Sequence, residues 1–237
     1  MSTIEQYHQY VYETPWGAMF YRLLWNQLDP LIEPGARVLD FGSGFGHTAK
    51  HLAAKAQVTA YEPDARMLAL AATGFTQTTG DWATALGAQR FDWIVLHNVL
   101  EYVADPAGLL RQLTARLTPN GRFSIVRHNR LGHVFAAAVL QDDPAQALAA
   151  YEQAPLASQS FGAMNLYDNA QLAGWLAPRQ RIAMTWGLRT VFGLSANSAI
   201  KATPAWQTQM LALERRLALD PVARETAFFQ YVVTAAQ

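Results

Sequence analysis

From Gly35 onward, short apolar runs alternate with stretches of helical periodicity, and this alternation restricts the fold more than any other feature of the sequence. Parallel strands need long crossover connections, which the intervening helical stretches supply. Five runs have the length and composition of strands: Arg37–Phe41, Val58–Tyr61, Gly74–Gln77, Phe91–His97 and Gly121–Arg127. Joined by right-handed crossovers, they predict an α/β fold built on a doubly wound, mostly parallel sheet.

The remainder of the chain flanks this unit on both sides. An amphipathic helix is predicted over residues 14–29, an alanine-rich helical insertion over 129–165, and an extended run over 181–191. The last apolar run, Ala227–Val233, reads as a strand buried on both faces. We therefore expect one domain over 1–237, comprising an N-terminal helical cap (1–34), a ligand-binding core (35–128), a helical insertion (129–180) and C-terminal strands and a helix (181–237).

Composition excludes several classes of protein. Hydrophobic residues make up 51% of the 237 residues and charged residues 15%, which is typical of a globular chain. The absence of cysteine removes disulfides, thiolate nucleophiles and iron–sulfur ligation. No spacing of acidic residues and histidines indicates a metal, so no metal site is predicted. The N-terminal segment has no signal-peptide pattern and no apolar run approaches the ~20 residues of a membrane span, so a cytoplasmic protein without a membrane partner is expected.

The charge is balanced overall but unevenly distributed. Residues 1–120 contain 8 basic and 11 acidic side chains, whereas residues 121–237 contain 10 and 7. A net charge of zero thus predicts two opposed surfaces, with a basic face around Arg127, Arg130 and Arg189. That distribution mildly favours an anionic substrate.

The segment Val38-Leu39-Asp40-Phe41-Gly42-Ser43-Gly44-Phe45-Gly46 lies where the first strand gives way to the first helix. Glycines there allow a ligand to approach the backbone, and the helix start offers unpaired N–H groups. The spacing is G-x-G-x-G rather than G-x-G-x-x-G, with an acidic residue two positions before the first glycine, a combination that favours S-adenosylmethionine over a dinucleotide.

Acidic residues follow the next two strands. Glu62 ends the second strand, where a carboxylate can accept the hydroxyl protons of a ribose from either cofactor. Asp81 and Trp82 follow the third strand and are predicted to recognise and stack on an adenine. The alternative for Asp81 is a helix N-cap.

The fourth strand and its continuation, Phe91 to Pro106, read FDWIVLHNVLEYVADP. With VLDFGSGFG, AYEPD and GDW, this segment resembles the class I S-adenosylmethionine-dependent methyltransferases over residues 35–128. Within them, HNVLEYVADP and the later WGLRTVF (Trp186–Phe192) resemble the tRNA 5-carboxymethoxyuridine methyltransferase-like group, which esterifies a wobble-uridine carboxylate. The resemblance implies a Rossmann-like, seven-stranded sheet whose last strand is antiparallel.

The resemblance also implies roles for individual residues. The three glycines flank the methionine part of the cofactor, Glu62 holds the ribose, Asp81 and Trp82 meet the adenine, and His97 lies beside the sulfonium and the acceptor. The full predicted cofactor-binding set is Asp40, Phe41, Gly42, Ser43, Gly44, Gly46, Glu62, Pro63, Met67, Asp81, Trp82, His97, Asn98 and Tyr102.

The catalytic candidates depend on the acceptor. A carboxylate acceptor is ionised at neutral pH and needs a cation, for which Arg189 is the candidate, the alternative being an internal salt bridge. A hydroxyl or ring nitrogen needs a base, for which His97 and His128 are candidates, the alternative for His97 being a structural hydrogen bond. Tyr12 and Trp16 are predicted to contact the substrate, the alternative being that they anchor the first helix.

The sequence therefore predicts an S-adenosylmethionine-dependent enzyme that methylates an oxygen or nitrogen atom of a small molecule or of a modified tRNA wobble uridine, with a carboxylate acceptor favoured. Two alternatives remain at this point. A nicotinamide-dependent oxidoreductase is disfavoured by the glycine spacing and by the lack of an evident hydride-relay pair. A non-catalytic S-adenosylmethionine-binding module would carry the same binding residues and would differ only in turnover.

Overall fold

The computed structural model describes residues 3–158 and 161–237. Seven strands form one sheet in the order β3-β2-β1-β4-β5-β9-β8, and two more, β6 and β7, pair as a hairpin. The strands are β1 Arg37–Phe41, β2 Gln57–Tyr61, β3 Thr76–Thr78, β4 Phe91–His97, β5 Leu117–His128, β6 Leu156–Ser158, β7 Gly162–Met164, β8 Gln180–Leu188 and β9 Phe229–Ala236. The α-helices are α1 Thr3–Glu13, α2 Pro15–Leu28, α3 His47–Leu52, α4 Ala65–Leu68, α5 Trp82–Leu86, α6 Pro106–Thr114, α7 Arg130–Phe135, α8 Pro144–Tyr151, α9 Asn169–Leu176, α10 Ser198–Lys201, α11 Pro204–Leu217 and α12 Ala223–Thr226.

The central strands are apolar on both faces, as parallel strands covered by helices must be. Val38 and Leu39 of β1 and Ile94 to Leu96 of β4 are fully buried. The two strands run parallel with Val38 opposite Trp93 and Asp40 opposite Val95, and β1 pairs in parallel with β2 on its other side. Because parallel strands end at the same sheet edge, the segments that follow β1, β2 and β4 lie at one edge.

The last strand, β9, runs against its neighbours. Along β5, Phe123 N donates to the Thr234 hydroxyl and Asn129 N donates to the Phe228 carbonyl, so residue numbers rise on β5 as they fall on β9. Phe228 N in turn donates to the Arg189 carbonyl just beyond the end of β8. The predicted fold class, a seven-stranded, mostly parallel sheet with an antiparallel last strand, is confirmed.

The chain separates into two units. Unit 1 contains residues 1–27, 127–168 and 185–231, and unit 2 contains residues 28–126, 169–184 and 232–237; strands β5, β8 and β9 each contribute residues to both. Unit 2 holds β1 to β4 with helices α3 to α6. In unit 1, helix α2 buries Met19, Leu23 and Leu24 at helical spacing, so the predicted amphipathic helix is confirmed.

Four local predictions need correction. The insertion after residue 129 is not wholly helical, because it ends in the β6–β7 hairpin. Pro119, Asn120 and Gly121 predict a turn that closes the preceding helix, but they form an irregularity within β5, where the pairing with β4 shifts between Leu117 and Arg122. Arg189 lies just past the end of β8 with a backbone φ of 61°, not within a strand. Arg127 is 4% exposed and therefore does not form part of a basic surface.

Within residues 3–158 and 161–237, no helix combines the length and the apolar character that crossing a lipid bilayer requires. The same residues contain no group of three or more histidine, aspartate or glutamate side chains suited to hold a metal ion.

Candidate active site

The loop after β1 is folded around three glycines with positive φ. Gly42, Gly44 and Gly46 have φ values of 75°, 57° and 71°, a region in which other residues are strained. The backbone N–H groups of Gly42 and Ser43 both donate to the carbonyl of Tyr61, at 2.8 and 3.0 Å. The loop is thereby fixed against the end of β2, which places the residues that follow these two strands side by side.

Glu62 is the carboxylate at the end of β2, and its side chain is buried. Its Oε2 accepts a hydrogen bond from Gly44 N at 2.7 Å, and its Oε1 accepts one from Asp64 N at 2.9 Å. Burial raises the pKa of Glu62 above its ordinary value, and the two amide hydrogen bonds oppose that shift. Each carboxylate oxygen has a second lone pair, so the group can still accept the two hydroxyl protons of a ribose.

Asp40, near the end of β1, is 3% exposed, and its Oδ2 has no hydrogen-bond partner. Burial raises the pKa of Asp40 to about 7, opposed by a hydrogen bond from the Ala49 amide and assisted by the nearby charge of Glu62. A cation beside this carboxyl would reverse that shift, because an opposite charge favours the ionised form. The site is thus suited to a positively charged ligand such as a sulfonium or an ammonium.

Further buried polar atoms at the same sheet edge lack partners. They include Ser43 Oγ and Asn98 Oδ1, the latter on a residue with φ of 57° just after β4. An ideal Cβ added to Gly44 would meet only Met67 Sδ, at 3.9 Å, so the loop presents open backbone at this point. Buried polar atoms without partners are costly unless a ligand or water satisfies them. These residues fit the predicted cofactor.

Asp81 and Trp82 begin helix α5. The carboxylate of Asp81 accepts hydrogen bonds from the backbone N–H and the hydroxyl of Thr84, and these bonds lower its pKa. The N-cap alternative is therefore realised, while the adenine contact remains a prediction. The indole of Trp82 meets the ring of Phe41 edge-on at 5.6 Å, and Phe41 packs on Tyr61 at 4.8 Å.

The other members of the predicted cofactor set also fall in unit 2. Pro63 is exposed between β2 and α4, Met67 is buried in α4, and Tyr102 lies in a single 3₁₀ turn after β4. His97 ends β4, and its Nε2 lies 2.8 Å from the hydroxyl of Ser124 on β5. Burial lowers the pKa of His97 to about 3, so the imidazole is neutral at pH 7. The structural hydrogen bond considered for His97 is present, and its catalytic role remains a prediction.

The candidates for the acceptor side belong to unit 1. His128 ends β5, and its Nδ1 lies 3.0 Å from Nε2 of His133 with the two rings stacked. Burial lowers the pKa of His128 to about 3 and that of His133 to about 4, so both are neutral at pH 7. Tyr12 lies on α1 in ring contact with His8, and burial raises its pKa.

Arg189 follows β8, and its guanidinium stacks over the ring of Phe228 at 4.4 Å. The internal salt bridge considered for it is not observed, since no carboxylate of the described residues forms an ion pair with Arg189. Its Nε is buried without a hydrogen-bond partner. Trp16, in the first turn of α2, carries the ammonium of Lys201 over its indole ring at 3.7 Å.

Two residues of unit 1 were not anticipated. Glu214 occupies the buried face of α11 between Leu211 and Ala218, and a carboxylate at such an apolar position is a signal that the sequence offers. Lys201 has no comparable signal, because its aromatic partner Trp16 lies far away in the chain.

The glycine loop after β1, the carboxylate after β2 and the reversed last strand define the class I methyltransferase fold. A family profile described as a methyltransferase domain matches residues 17–180 of the chain. The chain belongs to this methyltransferase-domain family, which confirms the resemblance predicted from the sequence.

Over the matched segments, these curated relatives are about a third identical to the chain. The tRNA 5-carboxymethoxyuridine methyltransferase of Escherichia coli K12 is 33% identical over 145 residues, covering 54% of this chain and 55% of the relative. A ubiquinone biosynthesis O-methyltransferase of Xanthomonas axonopodis pv. citri is 31% identical over 157 residues, covering 61% and 62%. The chain thus spans a little over half the length of these curated relatives.

Solved structures support the same fold at lower identity. An S-adenosylmethionine-dependent methyltransferase from Mesorhizobium loti superposes with a TM-score of 0.58 at 19% identity, covering 90% of this chain and 97% of that one. The plantazolicin methyltransferase BpumL, solved with S-adenosylhomocysteine (SAH) and a pentazolic desmethylPZN analogue, superposes with a TM-score of 0.57 at 16% identity, covering 99% of this chain and 90% of that one.

Proposed function

We propose that this protein is an S-adenosylmethionine-dependent methyltransferase whose acceptor is a small molecule bearing a carboxylate. The family assignment supports the cofactor, and the polar atoms of Asp40, Ser43 and Asn98 that lack partners support a cationic, polar ligand beside the glycine loop. The observation that carries the choice of acceptor is the guanidinium of Arg189, which has no carboxylate partner among the described residues. Arginine holds a carboxylate in a bidentate fork.

When bound, S-adenosylmethionine supplies a methyl group on a positively charged sulfur. The chain then has to hold the cofactor, orient the acceptor and exclude water. In this proposal Glu62 accepts hydrogen bonds from the ribose hydroxyls, Asp40 offsets the positive charge, and Arg189 holds the acceptor. Because a carboxylate is ionised at pH 7, no side chain has to remove a proton from it.

The histidines support an acceptor of this kind. A general base is most effective when its pKa lies near the working pH. Burial lowers the pKa values of both His97 and His128 to about 3, which makes them weak bases. A hydroxyl or ring-nitrogen acceptor would depend on such a base, whereas a carboxylate does not.

A small acceptor is favoured over tRNA because two of the arginines expected to form a basic face are engaged internally. Arg127 is buried, and its guanidinium donates to the Tyr167 carbonyl and to the Gln230 side chain. Arg130 Nη1 donates to the carbonyls of Ala150 and Ala154. Contacts to tRNA phosphates need exposed cations, and the buried Arg127 does not supply one.

The test is product analysis with methyl-labelled cofactor, incubating the protein with a metabolite extract and, separately, with bulk tRNA. We expect label in a small-molecule product whose methyl group is released as methanol by mild alkali, as an ester requires. Label in tRNA would support the wobble-uridine acceptor, and label stable to alkali would indicate a hydroxyl or nitrogen acceptor. Cofactor binding without any labelled product would favour a non-catalytic binding module.

Cofactor binding is tested separately by calorimetry. Glu62→Gln should weaken S-adenosylmethionine binding by about tenfold or more, because hydrogen bonds to a charged group contribute about 1.5–3 kcal/mol. Glu33→Gln, at an exposed carboxylate of the same unit, is the matched control and should bind as the unaltered protein does. Tight binding of NAD with no binding of S-adenosylmethionine would instead support an oxidoreductase.

A further inference from the structure

A buried carboxylate holds the turn that follows β8. Glu214, 1% exposed on α11, accepts hydrogen bonds from the backbone N–H groups of Thr190, Val191 and Phe192, at 2.8, 2.7 and 2.8 Å. The first N–H donates to Oε2, and the other two donate to Oε1. Three consecutive N–H groups that converge on one carboxylate fix the backbone of the turn, because each donates to a charged acceptor. All four residues belong to unit 1.

Arg189 comes immediately before this turn, and its backbone is fixed as well. Its φ of 61° lies in the left-handed region, which residues other than glycine rarely adopt. Its carbonyl accepts a hydrogen bond from Phe228 N at 3.0 Å. Backbone strain of this kind persists where the surrounding contacts over-determine it. The contacts on both sides therefore fix the direction in which the Arg189 side chain leaves the backbone.

The guanidinium of Arg189 lies against aromatic rings. Its central carbon is 4.4 Å from the ring centre of Phe228 and 5.8 Å from that of Phe192. Of its three nitrogens, only Nε is both buried and without a hydrogen-bond partner, and the residue as a whole is half-buried. A guanidinium held in this way presents its Nη end, which can bind a carboxylate through two parallel N–H···O bonds.

Gly193 provides the space that this arrangement needs. The residue is buried, and a Cβ added to it would overlap Arg189 Nε and lie 3.0 Å from both Cζ and Nη2. The backbone does not itself require glycine here, because the φ of Gly193 is outside the positive region. Position 193 thus contributes small size rather than conformational freedom, and the group that it accommodates is the guanidinium.

We propose that Gly193 and Glu214 are positioning residues for Arg189. Glu214 fixes the turn next to the arginine, and Gly193 leaves the space in which the guanidinium lies on Phe228. The Nη end is thereby presented in one place to the carboxylate of the acceptor. This inference rests on the proposed function and deepens it, because a long side chain that is already ordered loses less conformational entropy when it binds its ligand.

The position of the guanidinium is tested by NMR on the full chain saturated with SAH. The Nε–H signal of Arg189, assigned by its disappearance in Arg189→Met, should be displaced by the ring current of Phe228. In Gly193→Ala this signal should move, because the added methyl group overlaps Nε. Gly174→Ala is the matched control and should leave the signal unmoved, since a Cβ at Gly174 meets nothing within 4 Å and its φ is also outside the positive region.

Stability and turnover are measured on the same variants. Gly193→Ala should shift the melting temperature by less than about 3 °C, because the atoms that must move belong to the far end of a flexible side chain. Turnover is assayed with methyl-labelled cofactor and a dilution series of metabolite extract. The half-saturating amount of extract should rise about tenfold or more, the effect of losing a hydrogen bond to a charged group, with SAH affinity unchanged. A loss of folded protein alone would lower the limiting rate and leave the half-saturating amount unchanged.

Glu214→Gln is a second variant, which acts on the turn rather than on the guanidinium. The amide keeps one acceptor oxygen and places an NH₂ group against part of the set of N–H donors. The Arg189 signal should move and the half-saturating amount of extract should rise in this variant too. Glu152→Gln, at an exposed position of the same unit, should change neither.

The proposal is overturned if the Arg189 signal does not move in Gly193→Ala, or if it moves while the half-saturating amount of extract stays the same. Arg189→Met distinguishes these failures from a failure of the proposed function. If Arg189→Met loses turnover, the arginine holds the acceptor, and only its positioning by Gly193 and Glu214 is refuted. Undiminished turnover in Arg189→Met, or no alkali-labile product from the unaltered protein, contradicts the proposed function itself, while the NMR comparison still decides what holds the guanidinium.

Discussion

Gly42 and Gly44 lie two residues apart in the loop after β1, and alanine should affect stability differently at these two positions. Both have positive φ, where an alanine costs about 1–2 kcal/mol. At Gly42 the added Cβ would also lie 2.7 Å from Cγ2 of Val99, and overpacking of this kind costs about 1–3 kcal/mol more. At Gly44 the added atom would meet only Met67 Sδ, at 3.9 Å, which is an ordinary contact.

The free energy of unfolding, measured by urea denaturation, should therefore fall by about 2–5 kcal/mol in Gly42→Ala and by about 1–2 kcal/mol in Gly44→Ala. A double-mutant cycle isolates the contact. Adding Val99→Ala to Gly42→Ala should restore about 1–3 kcal/mol relative to additivity, because it removes the methyl group that clashes. The same change should restore nothing when added to Gly44→Ala.

SAH affinity should fall more in Gly44→Ala than in Gly42→Ala, which is the reverse of the order expected for stability. In Gly44→Ala the methyl group would occupy the open backbone of the loop, so SAH binding should weaken by at least about tenfold, or 1.4 kcal/mol, while the fold persists. Calorimetry on the folded variant measures this directly. Equal losses of stability at the two glycines would show that Val99 does not crowd Gly42, and unchanged SAH affinity in Gly44→Ala would show that the cofactor does not approach the backbone at Gly44.

Three further predictions concern buried titratable side chains. Asp40→Asn should raise the free energy of unfolding at pH 8 by up to about 4 kcal/mol. Because burial raises the pKa of Asp40 to about 7, the folded state alone retains the proton above the unfolded pKa of 3.8, so stability is lost as pH rises to 7, and the variant should lack that decline in urea midpoints. His97→Gln should change the pH dependence at the acid end. Burial lowers the pKa of His97 to about 3, so the neutral ring contributes stability above pH 6.5 that is lost as pH falls, and the variant should lack this loss. An unchanged fall of the urea midpoint below pH 6.5 in the variant would contradict this. Glu214→Gln should lower the free energy of unfolding by about 2–4 kcal/mol, because it weakens three backbone hydrogen bonds to a carboxylate, and should reduce acceptor turnover with SAH affinity unchanged; Glu152→Gln, at an exposed position of the same unit, should do neither.

The sheet and the glycine loop could be predicted from the sequence because they depend on local patterns. Apolar runs of strand length, separated by helical spacing, specify β1 to β5, and the glycines of Gly42 to Gly46 mark the positions of positive φ. The N-cap alternative for Asp81 also followed from local preference. These features are determined by residues close together in the chain, so short stretches of sequence are sufficient to predict them.

The details of unit 1 were harder to predict from the sequence. The β6–β7 hairpin was missed because its strands are only three residues long and their composition resembles that of the surrounding helical segment. Arg189 was expected within a strand because its neighbours are apolar, whereas the backbone turns at that residue. The prediction of a basic face that includes Arg127 was wrong, because the sequence gives the charge of an arginine but not its exposure.

The sequence by itself determined the fold class, the methyltransferase family and the loop that is expected to hold the cofactor, since these depend on periodicity and on motifs of adjacent residues. Only the tertiary structure decided which charged groups are neutralised. Glu214 is engaged by backbone amides and Arg127 by a carbonyl and a side-chain amide, whereas Arg189 and Lys201 lie on aromatic rings and form no ion pair within residues 3–158 and 161–237. Pairing of this kind depends on contacts between residues distant in the chain and on the solvent that folding removes, and neither is written in the order of the residues.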